Sequence, residues 1–198
     1  TSAYGSQAAH RISGDLASAG VCVVSGMAYG IDQAAHNGVI AVEGCTWAVI
    51  GSGLGNIYPN RSEKLVERIC EKGAVISEFP FNVPPSKSTF PQRNRIVSGM
   101  CYSTLVVEAA ERSGALITAR LTLEQNRELL AIPGPIYSKK SFGSNYLIKK
   151  GAKLVQQVDD IIEELPEKVK NSLEKVSEDL SGHHLTNEER QVLSALSV

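Results

Sequence analysis

One repeated alternation constrains this chain more than any other feature. Short, mainly apolar runs are followed by loops, four of the five bearing glycine, then by segments with apolar residues at helical spacing. The runs are Val21-Cys22-Val23-Val24, Thr46-Trp47-Ala48-Val49-Ile50, Ala74-Val75-Ile76-Ser77, Thr104-Leu105-Val106-Val107 and Leu129-Leu130-Ala131-Ile132. A strand without polar alternation is one covered on both faces. Between the runs, residues 5–19 set Ala8, Ala9, Ile12, Leu16 and Ala17 on one helical face, and Gly20 stops that helix. Further helices are expected at 31–42, 62–72, after Thr89, and at 115–126, 145–150 and 159–165, with an edge strand at 153–155. This order specifies an α/β protein with a mainly parallel sheet between helices.

In such sheets ligands bind beyond the carboxyl ends of the strands. The glycines collect there: Gly26 and Gly30, then Gly51, Gly53 and Gly55, then Gly114 and Gly134. Glycine lets a backbone approach a phosphate and aim its N–H groups at it. Ser25, Gly26, Gly30, Gly51, Ser52, Gly53, Ser113 and Gly114 are therefore candidate phosphate-binding loops. The competing reading is that these connections use glycine only to turn. Gly51-Ser52-Gly53-Leu54-Gly55-Asn56 imitates a dinucleotide fingerprint. It has Asn56 where the last Gly or Ala belongs and follows an internal strand. There is no G-x-x-x-x-G-K-[ST] and no G-x-S-x-G. Asp32, Glu78, Glu108 and Glu111 lie near strand ends, but no pairing among them can be read from sequence. Asp32, just inside a helix, is expected to support the helix start.

The second constraint is Ser86-Lys87-Ser88-Thr89-Phe90-Pro91-Gln92-Arg93-Asn94-Arg95, which carries three cations and a ring, with no acid between Glu78 and Glu108. Thr89 is expected to cap a helix whose N–H groups and macrodipole favour an anion. A ring beside Lys and Arg suits a single-stranded nucleic acid; the alternative is a basic, solvated helix start. Adjacent helical positions point about 100° apart, so Arg93, Asn94 and Arg95 cannot all face one ligand. The expectation is that Arg93 is the more exposed, and that another of the group braces Glu78 or Glu108 in a buried ion pair.

The net charge of −1 is uneven. Residues 1–158 carry a basic excess of five and residues 159–184 an acidic excess of five, which fits a cationic groove on the body. Residues 166–184 read as an acidic polar linker. Thr186 and Glu189 form a capping box that starts a helix over 185–198. The widely spaced Cys22, Cys45, Cys70 and Cys101 are expected to be buried free thiols in a reducing compartment rather than disulfides or a metal site. The four histidines give no ligand pattern, and neither a cofactor nor a metal is expected. No apolar run approaches the ~20 residues of a membrane span, and no signal segment opens the chain.

Taken together, these strings resemble the DNA-processing protein A family (DprA, also called Smf). They are Val24-Ser25-Gly26-Met27-Ala28-Tyr29-Gly30-Ile31-Asp32, Ala48-Val49-Ile50-Gly51-Ser52-Gly53-Leu54 with Tyr58-Pro59, and Ile76-Ser77-Glu78-Phe79-Pro80. Phe90-Pro91-Gln92-Arg93-Asn94-Arg95-Ile96-Val97, Val107-Glu108-Ala109, Ser113-Gly114-Ala115-Leu116-Ile117-Thr118-Ala119 and Ala131-Ile132-Pro133-Gly134 follow in family order. The resemblance implies an extended Rossmann-like domain over residues 1–165 that binds single-stranded DNA and is not an enzyme. It implies a cytoplasmic, dimeric recombination mediator of natural transformation that protects incoming DNA, works around single-strand-binding protein and loads the RecA recombinase. Lys87 matches a backbone-contacting lysine and Phe90 a stacking ring. Arg93 and Arg95 match residues of the same basic pocket, with Asn94 between them. Two departures are expected: the family's first strand has no counterpart before Tyr4-Gly5, where a missing N-terminus is suspected, and only the first helix of the C-terminal winged-helix-like domain is read at 185–198. Two other readings are a nucleotide-binding or nucleotide-cleaving enzyme of a related Rossmann-like family and a purely structural, partner-binding domain. Against the first, the segment after Glu108 lacks those enzymes' Pro-Gly-Gly loop.

Overall fold

The computed structural model describes residues 1–173. Helix α1 (Ala3–Ser18) is capped by Ser2, whose Oγ accepts from the Gly5 N–H at 3.0 Å. Its apolar stripe is the expected one: Ala9, Ile12 and Leu16 are buried. Then follow β1 (Val23–Ser25), α2 (Ile31–Ala41), β2 (Thr46–Val49), α3 (Glu63–Lys72) and β3 (Ala74–Ile76). The chain continues through α4 (Thr89–Gly99), β4 (Ser103–Val106), α5 (Gly114–Glu124), β5 (Glu128–Ala131), α6 (Phe142–Lys149), β6 (Lys153–Leu154) and α7 (Asp159–Ile162). Each apolar run of the sequence is a strand, shifted by at most two residues at either end.

All pairing is parallel, but it forms two three-stranded sheets, β1-β2-β3 and β4-β5-β6, rather than one. Among the described residues β1 and β4 each keep one edge without a strand partner. Apolar side chains bridge them instead. Ala9, Ile12 and Leu16 of α1 join Ala34, Val107, Leu130 and Ile132 in one cluster, with Val23 and Leu105 against it. A second cluster (Val106, Ala119, Leu129, Ala131, Leu147) lies under α5 and α6, and a third (Met27, Ala48, Ile50, Ile69) under α3. Burying a side chain such as Ile69 contributes roughly 1.5–3 kcal/mol. It is the one fully buried residue of a helix whose other positions are mostly charged.

Two expectations change. The first run is only half-buried in β1, and Trp47 in β2 is exposed, so neither strand is covered throughout on both faces. The cysteines are free, as expected, but Cys22 and Cys70 are exposed and Cys45 and Cys101 only partly buried. They flank the strands and α3's solvent side rather than the sheet interior.

Thr1–Pro166 forms one compact unit. Residues 167–173 are helical; the rest of the expected linker and the helix over 185–198 lie outside the described residues. No helix among the described residues is long and apolar enough to cross a membrane.

Candidate nucleic-acid interface

The carboxyl ends of β1 and β2 deliver two glycine loops to the N-terminal half of α4, and the joint is made by Arg93. Phe90 and Arg93 are three residues apart, so they share a face of α4, and that face turns inward. Arg93 is 4% exposed. Its Nη1 donates to the Gly26 carbonyl at 2.7 Å and to the Val49 carbonyl, and its Nε to Asn94 Oδ1 at 3.1 Å. Desolvation pushes its pKa down, partly offset by Asp32. The exposed Arg93 expected from sequence is thus corrected: the guanidinium is a buried strut between the ends of β1 and β2, with Asn94 turned onto it. Arg95 is the exposed one and pairs with Glu78. The expected brace to Glu78 exists, but at the surface.

Above the strut stands an aromatic series. The Phe90 ring lies over Gly51, where an added Cβ would come 2.7 Å from the ring. Phe90 meets Tyr58 at 5.5 Å between centroids, and Tyr58 meets Tyr29 edge-on at 6.0 Å. Phe90 is half-buried, while Tyr29 is 64% exposed. Tyr29 and Tyr58 are ring residues beyond the Phe90 expected from sequence; each is an aromatic inside a glycine-rich loop at a strand's carboxyl end, which is the signal that marks them.

Lys87 is exposed, on the turn that leads into α4. That turn is held by its own hydroxyls rather than by the predicted Thr89 cap. Ser86 Oγ accepts from the Thr89 N–H at 3.2 Å, and Thr89 Oγ1, itself buried, accepts from the Ser86 N–H at 3.0 Å. Helix α4 begins at Thr89, so the capping oxygen comes from three residues earlier.

The candidate phosphate loops differ in what their atoms already do. Ser25 ends β1, and an added Cβ at Gly26 would meet the Arg93 guanidinium at 2.5 Å. Gly30, at φ 96°, precedes α2, whose start is held by Asp32 accepting from the Ala28 N–H at 3.1 Å, as expected. Ser52 is buried and its Oγ donates to the Asn56 carbonyl at 2.7 Å. The Gly53 N–H donates to the Val83 carbonyl at 2.8 Å, and the Gly55 N–H to Phe81 at 2.9 Å. The free Gly53 amide expected for a phosphate is thus corrected: that N–H is already bonded, and the glycine admits the Pro80–Val83 backbone, with the Pro80 carbonyl oxygen standing where a Cβ would go. Ser113 caps α5 by accepting from the Ala115 N–H at 3.2 Å, and Gly114 meets nothing within 4 Å. With Glu111, Arg112 and Arg120 they line an open depression. None of the contacts that join the β1 and β2 loops to α4 includes them.

Behind the loops His36 is fully buried, its Nδ1 2.7 Å from Thr46 Oγ1 and its Nε2 without a partner. Burial is the main cause that lowers its pKa to about 4. Glu108 sits at the start of α1, accepting from the Ser2 N–H at 3.0 Å and from its hydroxyl. Among the described residues no group of three or more His, Cys, Asp or Glu could hold a metal ion.

Comparison with known proteins gives this architecture a context. Residues 1–166 match the family described as DNA recombination-mediator protein A. The Smf protein of Escherichia coli K12 is 48% identical over 163 residues, 82% of this chain and 44% of that one. The crystal structure of DNA processing protein A from Streptococcus pneumoniae superposes with a TM-score of 0.77 at 38% identity, covering 84% of this chain and 58% of that one. A structure of DNA processing protein A from Helicobacter pylori, described as showing a unique single-stranded DNA binding mode, gives 0.73 at 26% identity, covering 90% and 76%. The chain spans about half the length of the curated relatives it matches.

Proposed function

The chain belongs to the DNA recombination-mediator protein A family, and from that premise we propose that it binds single-stranded DNA as a recombination mediator. The observation that carries this reading is the union of an acid-free, basic helix entry with a file of three rings above the glycine loops. Lys87 meets the phosphate backbone, and Arg95 joins it when a phosphate competes with Glu78. Phe90, Tyr58 and Tyr29 offer ring surface to bases, and base stacking contributes roughly 1–3 kcal/mol per base. Arg93 and Asn94 hold the loops in place behind them. Ser25, Gly26, Gly30 and Gly51 form the nearer wall; Ser113 and Gly114 supply a separate helix start for a more distant phosphate.

The likeness to a relative described by its single-stranded DNA binding mode supports this choice of ligand. We extend the proposal to a binding rather than catalytic role in natural transformation: protecting the incoming strand, working beside single-strand-binding protein, loading RecA and acting as a homodimer in the cytoplasm. In this reading residues 1–165 are the DNA-binding domain.

The test is fluorescence anisotropy of a labelled single strand of about 30 nucleotides and of its duplex, each at two salt concentrations. The single strand should bind in preference to the duplex, and its affinity should fall as salt rises. Equal capture of both, or of neither, would overturn the proposal.

A further inference from the structure

At the opposite end of the first sheet the chain carries a second piece of chemistry. Cys22 and Cys45 each stand one residue before the first register pair, Val23 opposite Thr46. The Val23 N–H donates to the Cys45 carbonyl at 3.2 Å. The two side chains are therefore lateral neighbours on adjacent parallel strands, and their sulfurs lie 3.3 Å apart, Cys45 S–H donating to Cys22. Neighbouring strands run about 4.8 Å apart, within the Cα separations of about 4.4–6.8 Å that a disulfide spans.

We propose that Cys22 and Cys45 are a reversible dithiol–disulfide pair that staples the amino ends of β1 and β2. Cys22 is exposed and Cys45 partly buried, so an oxidant meets Cys22 first and Cys45 resolves the product. With oxidised glutathione, the Cys22 thiolate attacks one sulfur and releases one glutathione thiolate. The Cys45 thiolate then attacks Cys22 Sγ, forming the protein S–S bond and breaking the mixed one, and a second glutathione leaves. Two protein thiols are oxidised, one oxidised glutathione becomes two reduced ones, and the two thiol protons pass to the leaving thiolates. Desolvation of its sulfur and the neighbouring Cys45 raise the Cys22 pKa, so the pair rests as thiols and the exchange quickens as pH rises.

The bond would close a loop holding β1, the Gly26–Gly30 turn and α2. It sits at the amino ends of the strands, while the loops that meet α4 sit at their carboxyl ends. Cys101 is the competing thiol near Cys22, and exposed Cys70 on α3 serves as an internal control.

The experiment is incubation of the intact chain with oxidised glutathione at about pH 8, alkylation of the remaining thiols, and peptide mapping by mass spectrometry. Expected are a linked Cys22–Cys45 peptide lacking two hydrogens, reversal by dithiothreitol, and a higher urea midpoint for the oxidised chain. Cys45→Ser should instead trap glutathione on Cys22. A stable glutathione adduct on Cys22 in the unsubstituted chain, a Cys22–Cys101 link, or an unchanged urea midpoint would overturn the proposal.

Discussion

The loop after β2 and the turn that starts α5 look alike in sequence, Gly51-Ser52-Gly53 against Ser113-Gly114, and the fold uses them in opposite ways. The first is filled by the protein itself: Phe90 covers Gly51, the Pro80–Val83 backbone occupies Gly53, and the Arg93 guanidinium holds the Val49 carbonyl just before it. The second is open, with Ser113 capping the helix and Gly114 facing no neighbour. A glycine in such a loop thus marks a close approach without saying what approaches. In the first loop it is the chain's own backbone; in the second the place is free.

The largest expected effect probes the filled side. Arg93→Met removes the donor to two buried carbonyls, each costing about 1–3 kcal/mol when left unpaired. A loss of about 3 to 5 kcal/mol is expected in urea unfolding, and a loss below 1 kcal/mol would show that the strut is dispensable. Acid should attack the same side. Unfolded histidine takes a proton below its ordinary 6.5, whereas folded His36 takes one only near 4. Its contribution is complete above pH 6.5 and is lost as pH falls toward 4, about 3 kcal/mol in all. Melting temperature across that window should drop, and His36→Gln should flatten the drop.

The comparison itself is tested by a matched pair. Gly53→Ala forces a methyl group into backbone atoms and should cost about 1–3 kcal/mol. Gly114→Ala meets open space at the first residue of a helix and should be neutral or stabilising by up to about 1 kcal/mol. Equal losses from the two would erase the distinction drawn above. For the ligand, Phe90→Ala should weaken single-strand binding about tenfold. Lys87→Ala should lower the slope of log affinity against log salt by about 0.7 and leave the melting temperature unchanged. The smallest effect belongs to Arg95→Ala, which breaks an exposed ion pair worth less than about 1 kcal/mol.

The element order was legible because five apolar runs and the helical stripes between them leave little freedom in an α/β chain. The split into two sheets was not, because strand runs carry no record of which edges pair. The placing of Arg93 was half legible: its three-residue spacing from Phe90 puts both on one face, yet nothing local says that this face turns inward. The engagement of Gly53 was invisible, since its partners lie about thirty residues away in a proline-rich loop. Thr89 failed as a cap because the preceding serines organise the turn first.

The unpartnered edges of β1 and β4 bear on how the molecule opens. Each sheet is built from consecutive elements, and the two are joined through side chains rather than through a shared ladder. Amide hydrogen exchange should therefore resolve two cooperative units, β1 to β3 and β4 to β6, with protection fading first at Val23–Ser25 and Ser103–Val106. The seam between them, under α1, is where the native state would breathe before it unfolds.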